Sequence, residues 1–187
     1  MKKIILASQS PRRHELLDMV GIEHAVITSY CDENIVSDGP ADMVLKLSEI
    51  KAEGVAKNLS GDLLVIGSDT IVYFNGEVLG KPKNPEDAFR MLTELSGNTH
   101  SVFTGVTVID VKEGRRESFY EETKVTFYDV DEEEIRAYIA TKDPLDKAGS
   151  YGVQGLGAFL VKRIEGDYFT VVGLPLAHLI RVLRSFS

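Results

Sequence analysis

Two short runs constrain this chain most. Ile4-Ile5-Leu6-Ala7 and Leu63-Leu64-Val65-Ile66-Gly67 carry no polar residue at any position. A strand with one wet face alternates apolar and polar side chains, so short uninterrupted runs of this kind read as strands buried on both faces. Something must cover those faces, and the intervening sequence supplies helices. Ser10 before Pro11 is an N-cap followed by proline at the first helical position. Leu16, Leu17 and Val20 form an apolar face, and Gly21 stops the helix. Residues 24–29 read as another strand and 30–37 as a polar loop, after which Asp38 or Gly39 before Pro40 opens a long helix reaching about Asn58.

Beyond the second apolar run, residues 71–74 continue as a strand into an Asn75-Gly76 hairpin turn. Asn84 with Pro85 caps a helix to about Leu95, which Ser96-Gly97-Asn98 closes. Residues 101–111 and 117–128 pair as a hairpin around Glu113-Gly114-Arg115. Asp131 with Glu134 three residues on makes a capping-box analogue for a helix to about Ala140. A loop rich in Gly, Asp and Lys, a strand at 158–164 and a last helix at 175–185 complete the chain. Helices alternating with strands at first, then paired strands, predict an α/β protein with a mixed sheet. No linker, repeat or low-complexity stretch interrupts the 187 residues, so a single domain over 1–187 is expected.

Charge narrows the partners. Against 21 Lys and Arg stand 29 Asp and Glu, a net charge of −8. That excess argues against a nucleic-acid polymer, whose non-specific binding requires many cations on its phosphates. No apolar run is long enough to span a membrane, and Ile4–Ala7 is too short for a signal-peptide core. The lone Cys31 excludes an internal disulfide and a cysteine-based zinc site. A cytoplasmic protein is the expectation. His14, His24, His100 and His178 show no ligand or triad spacing, so a histidine-based metal centre is not expected.

The informative residues are those that contradict their surroundings. Arg12 and Arg13 occupy the first turn of a capped helix, where the macrodipole disfavours cations. Either both snorkel to solvent, or they join Ser8, Ser10 and the free backbone N–H groups in gripping a phosphate. Lys51 falls inside the apolar arc of the long helix, between Leu47 and Val44. Its stem lies over the core, or its ammonium meets a carboxylate or phosphate. Asp69, in Gly67-Ser68-Asp69-Thr70, is placed at the carboxyl end of an apolar strand, with a glycine before it that would let a ligand approach the backbone. Such a carboxylate can hold a divalent cation, take a proton from water, or simply form a turn. Glu33 could act as a metal ligand from the polar loop. The 76–82 segment imitates a Walker A loop but fails, because its glycine spacing is one short and Pro82 stands where Ser or Thr is required. Gly80-Lys81 could still offer an ammonium to phosphate. Asp146, Lys147 and the glycine-flanked Gln154 lie in loops with polar groups suited to a ligand or to ordinary loop chemistry.

Together these motifs resemble the Maf family of nucleoside triphosphate pyrophosphatases. Leu6-Ala7-Ser8-Gln9-Ser10-Pro11-Arg12-Arg13, Glu33, Lys51, Gly67-Ser68-Asp69-Thr70 and Gly80-Lys81-Pro82 stand in family order. The similarity continues through residues 144–155 and Val172-Gly173-Leu174-Pro175-Leu176, covering essentially the whole chain. The resemblance implies a fold like the inosine triphosphate pyrophosphatases: an elongated mixed sheet flanked by helices, with two lobes around a central cleft. It further implies hydrolysis of a nucleoside triphosphate to monophosphate and pyrophosphate with Mg²⁺ or Mn²⁺. Members are often homodimers. Arg12, Thr70 and Gln154 resemble the subgroup acting on dTTP and UTP, where the 7-methyl-GTP subgroup typically has Trp, Gln and Glu.

On this combined reading Glu33 and Asp69 hold the cation, and Asp69 also orients or deprotonates the water. Ser8, Ser10, Arg13, Lys51 and Lys81 neutralise phosphate oxygens. Asp146 and Lys147 complete a polar wall, and Arg12, Thr70 and Gln154 select the pyrimidine, modified pyrimidine nucleotides included. The alternative is a non-catalytic nucleotide-binding regulator of cell division, which would bind triphosphate without releasing pyrophosphate.

Overall fold

A computed structural model of the protein describes residues 2–30 and 35–186. Seven strands form one sheet: β1 (Lys3–Ala7), β2 (His24–Val26), β3 (Leu63–Phe74), β4 (Glu77–Leu79), β5 (Thr99–Asp110), β6 (Arg116–Phe127) and β7 (Val161–Glu165). Their order is β2-β1-β3-β5-β6-β7, with β4 paired to β3 off this path. β1 runs parallel to both β2 and β3, whereas β4 and β7 pair antiparallel with β3 and β6. The sheet is therefore mixed, as the pattern of runs and turns predicts. The helices are α1 (Pro11–Met19), α2 (Pro40–Ala56), α3 (Pro85–Leu95), α4 (Glu132–Ala140), α5 (Tyr168–Val172) and α6 (Leu176–Ser185).

The chain builds two compact units, each from non-contiguous segments. The first takes Met1–Asp69, Thr104–Glu121 and Gly173–Ser187; the second takes Thr70–Phe103 and Glu122–Val172. In the first unit, Ile5, Ala7, Val65 and Ile109 of the sheet pack with Ala52 and Val55 of α2. Two glycines bring that helix close. A Cβ on Gly67 would strike the Ser48 carbonyl and lie 2.6 Å from the Ala52 nitrogen, and one on Gly105 would strike the Val44 carbonyl. The strands β3 and β5 thus present bare backbone to α2, and Ser48 and Thr107 share a hydroxyl hydrogen bond of 2.8 Å across the contact.

Local signals explain the helix ends. α1 closes in a Schellman motif: Gly21, at φ +69°, donates to the Asp18 carbonyl and Ile22 to that of Leu17. Asn84 caps α3 by accepting from the Asp87 N–H at 2.8 Å, and Asp131 and Glu134 form a full capping box on α4. In the second unit, Leu92, Leu95, Phe127, Ile135 and Leu160 are at the centre of the core.

Several boundaries differ from expectation. β2 ends at Val26, and β7 begins only at Val161 because residues 155–160 coil into a 3-10 turn around Gly155, whose φ is +67°. The five-residue α5 carries too little periodicity to be seen in sequence. β3 runs unbroken from Leu63 to Phe74, as the continuation at 71–74 predicts, and also takes in Ser68, Asp69 and Thr70, which the sequence pattern leaves between its two halves. No helix among the described residues is long and apolar enough to cross a membrane.

Candidate active site

The carboxyl end of β1 organises the first unit. β1 pairs with β3 through Ala7 opposite Gly67, so Ser8 leaves the sheet level with Ser68 and Asp69. Ser8 is buried, and its Oγ accepts from the Ser10 N–H at 3.1 Å and from Arg13 Nη1 at 3.2 Å. Arg13 Nε donates to the Gly173 carbonyl at 2.7 Å, and Ser68 Oγ donates to the same carbonyl at 3.2 Å. Gly173 has φ +123°, a backbone state that favours glycine, and it lies just before α6. The Arg13 guanidinium is therefore held by two fixed acceptors, the Gly173 carbonyl and Ser8 Oγ.

On the opposite face of β3, Asp69 points towards α2. Successive strand residues alternate faces, so Gly67 and Asp69 share one side and Ser68 takes the other. Lys51 Nζ donates to Asp69 Oδ1, with the two side chains only 15% and 13% exposed. The lysine in the apolar arc thus meets a carboxylate. Gly67 makes this meeting feasible, because the helix backbone at Ser48 and Ala52 rests directly on it. The glycine read in sequence as an opening for a ligand instead seats a helix. Arg13 and Ser68 share the Gly173 carbonyl, and Asp69, the next residue of β3, pairs with Lys51.

The expectation for Ser10 holds in position only. It is the N-cap residue of α1, yet its hydroxyl makes no cap hydrogen bond, and its N–H is taken by Ser8. Arg12 lies half-buried in the same first turn. Glu33, proposed as a metal ligand, lies outside the described residues, as does Cys31.

In the second unit, Thr70 follows Asp69 in β3 and is half-buried, while Lys81 and Gln154 are exposed. Residues 143–150 form two 3-10 turns, and Gly149, at φ +66°, donates to the Gly80 carbonyl at 3.1 Å. The Lys147 ammonium, on a side chain 11% exposed, donates to the Asp143 carbonyl, to Asp143 Oδ1 at 3.1 Å and to Asp146 Oδ1 at 2.9 Å. Its stem lies over Gly152, where a Cβ would come within 2.9 Å of Cε. Tyr138 donates to Asp143 Oδ2 at 2.8 Å and accepts from the Gly152 N–H at 3.2 Å. Burial, and then this bond to Asp143, pushes the Tyr138 phenol up, so it stays a donor. Asp143, Tyr138 and Gly173 were not singled out for any role in sequence. Only the fold shows that they support Lys147 and Arg13.

Could these residues hold a divalent cation? Mg²⁺ takes oxygen ligands, keeps several waters and is commonly held by one or two carboxylates plus substrate phosphates. Asp69, a largely buried carboxylate engaged through Oδ1, fits that requirement. Among the described residues, the one cluster of three nitrogen and oxygen ligand groups is elsewhere in the first unit: His14, Asp18 and His24, with ligand atoms within 4.8 Å of one another. Their spacing along the chain concealed it.

Comparison with known proteins places these features in context. The family model for the Maf-like protein matches residues 3–186. The dTTP/UTP pyrophosphatase of Bacillus cereus (strain ATCC 10987 / NRS 248) is 51% identical over 188 residues, covering 100% of this chain and 91% of that protein. Its counterpart in Bacillus thuringiensis subsp. konkukian is 50% identical, covering 100% of this chain and 97% of the relative. Among solved structures, the Ham1 protein of Staphylococcus aureus aligns with a TM-score of 0.50 at 16% identity, covering 86% of this chain and 80% of that one. At that identity the likeness concerns the fold alone.

Proposed function

From the premise that the chain belongs to the Maf-like family, we propose that it hydrolyses nucleoside triphosphates, dTTP and UTP foremost, to the monophosphate and pyrophosphate. The relatives that are half identical over their length carry the name dTTP/UTP pyrophosphatase, which supports the reaction class. The observation that carries the chemistry is the Lys51–Asp69 pair, next in β3 to Ser68, which shares the Gly173 carbonyl with the anchored Arg13.

A bound Mg²⁺ or Mn²⁺ would polarise phosphate oxygens and neutralise their charge. Asp69, with Glu33, would hold it. Arg13, fixed by Gly173 and Ser8, would meet a phosphate with little rotamer entropy left to lose. Lys51 orients Asp69, and can pass its ammonium to a phosphate oxygen as negative charge accumulates on the pyrophosphate leaving group. Asp69 orients the water that attacks the α-phosphorus and accepts its proton. Ser8 and Ser10 add donors at the start of α1. Lys81, Asp146 and Lys147 are further substrate-binding groups, Lys147 being held in place by Asp143. Arg12, Thr70 and Gln154 discriminate the base, and modified pyrimidine nucleotides fall within the same selection. The nucleotide pool served would be cytoplasmic.

The test is a panel of dTTP, UTP, CTP, GTP and 7-methyl-GTP with Mg²⁺ or Mn²⁺, separating pyrophosphate from orthophosphate. Pyrophosphate should be released fastest from dTTP and UTP. Asp69→Asn should lower the rate at least 100-fold with circular dichroism unchanged. Orthophosphate release, or saturable binding without turnover, would refute the assignment.

A further inference from the structure

The His14–Asp18–His24 cluster lies outside the machinery just described. Its geometry is built rather than incidental. His14 and Asp18 stand four residues apart on α1 and so share one helix face. The Schellman turn at Gly21 reverses the chain, and β2 begins at His24, returning it beneath that face. The His24 side chain is only 1% exposed, and its Nδ1–H donates to the Ile22 carbonyl at 2.8 Å. That bond fixes the tautomer and leaves Nε2 as a lone pair aimed at His14 Nδ1, 2.7 Å away. A ring whose second nitrogen is pinned to a backbone carbonyl is the usual support of a metal-ligating histidine.

The rest of the cluster stands close by: His14 Nε2 is 3.4 Å from Asp18 Oδ2, and one ligand atom from each of the three residues lies within 4.8 Å of the others. We propose that His24 Nε2, a ring nitrogen of His14 and the Asp18 carboxylate form a site for one Zn²⁺-class transition-metal ion. Two imidazoles and a carboxylate are the donor set such ions favour, with water as fourth ligand, whereas Mg²⁺ prefers oxygen alone. Two nitrogens bound tetrahedrally at the usual length lie about 3.3 Å apart. The rings must therefore open by roughly half an ångström, and His14, 48% exposed on the helix surface, has room to move. The ion would clip the second half of α1 to β2. It is separate from the cation assigned to Asp69.

Zn²⁺ titrated calorimetrically into the Asp69→Asn protein isolates this site from the catalytic one. The expected result is one ion per chain, bound at least 10-fold more weakly once His14→Ala or Asp18→Asn is added. Both positions are exposed, so neither change threatens folding. Co²⁺ should give the intense visible absorbance of a tetrahedral site, lost in the same variants. At 100-fold excess over its Kd, Zn²⁺ should raise the Tm by roughly 5–10 °C. No binding, binding indifferent to His14 and Asp18, or a Tm that responds to pH through His14 but not to metal would overturn the proposal. The last result would put a shared proton, rather than a metal ion, between the two rings.

Discussion

Replacing Lys51 by methionine keeps the length and apolar stem of the side chain and removes its charge. The consequence follows from burial. Asp69 is 13% exposed and its Oδ1 is engaged by Lys51, so the variant leaves a carboxylate largely cut off from water with no counter-charge. Breaking such a pair costs about 3–5 kcal/mol, far more than an exposed pair is worth. For a chain of this size that is a fall in Tm of roughly 6–20 °C. Adding Asp69→Asn to the Lys51→Met protein removes the stranded charge and should recover at least about 2 kcal/mol. Turnover should not recover with it, since both proposed chemical roles are gone. Urea unfolding of the wild type, both single variants and the double variant closes the cycle. Pyrophosphate release measured on the same four proteins separates stability from catalysis. Additive effects, with Lys51→Met costing under about 1 kcal/mol, would mean the pair behaves like Arg116 with Glu49 and Glu53, whose side chains are 38% to 51% exposed. The electrostatic argument would then fail.

Gly67→Ala places a Cβ against the backbone of Ser48 and Ala52 and should cost about 1–3 kcal/mol or more, with a fall in turnover as α2 lifts Lys51 from Asp69. Gly80→Ala, which meets nothing within 4 Å, is the stability control, and equal midpoints for the two variants would refute the close-approach argument. His100 is buried, held by Tyr151 at 2.7 Å, and burial lowers its pKa to about 4. The unfolded ring takes up a proton near its ordinary pKa of 6.5 while the folded one resists, so stability should fall as pH drops from 6.5 to 4, by about 3 kcal/mol in all. His100→Gln should flatten the urea midpoint across that window. Gln154→Glu should shift relative rates among dTTP, UTP and GTP with an unchanged Tm; an unaltered ranking would remove Gln154 from base selection.

Local chemistry made the element boundaries legible wherever one residue satisfies another nearby. Gly21 closes α1, Asn84 starts α3, and Asp131 with Glu134 starts α4, each through bonds spanning a few residues, while Pro11 marks the start of α1 by its fixed φ alone. The failures share the opposite property. Gly67 and Asp69 are poor strand formers, and in sequence they read as the end of a strand. β3 continues through them because α2 demands a residue without a side chain at 67 and Lys51 supplies a charge partner at 69. Those determinants lie 15 to 19 positions away along the chain for Ser48, Ala52 and Lys51, beyond any local signal.

The same distinction decides which parts of the site could be found beforehand. Lys51 was visible because it violates a rule of its own helix: a cation within an apolar arc must be paired, and the structure pairs it with Asp69. Arg13 was visible likewise, as a cation at the positive end of a helix. His14, Asp18 and His24 violate nothing locally. Each is an ordinary residue on a helix surface or at a strand start, and only the reversal at Gly21 brings the three together. A conflict that sequence exposes is one between a residue and its own element. A grouping between elements needs the turn that brings them together, so Lys51 and Arg13 announce themselves in the sequence and the histidine pair does not.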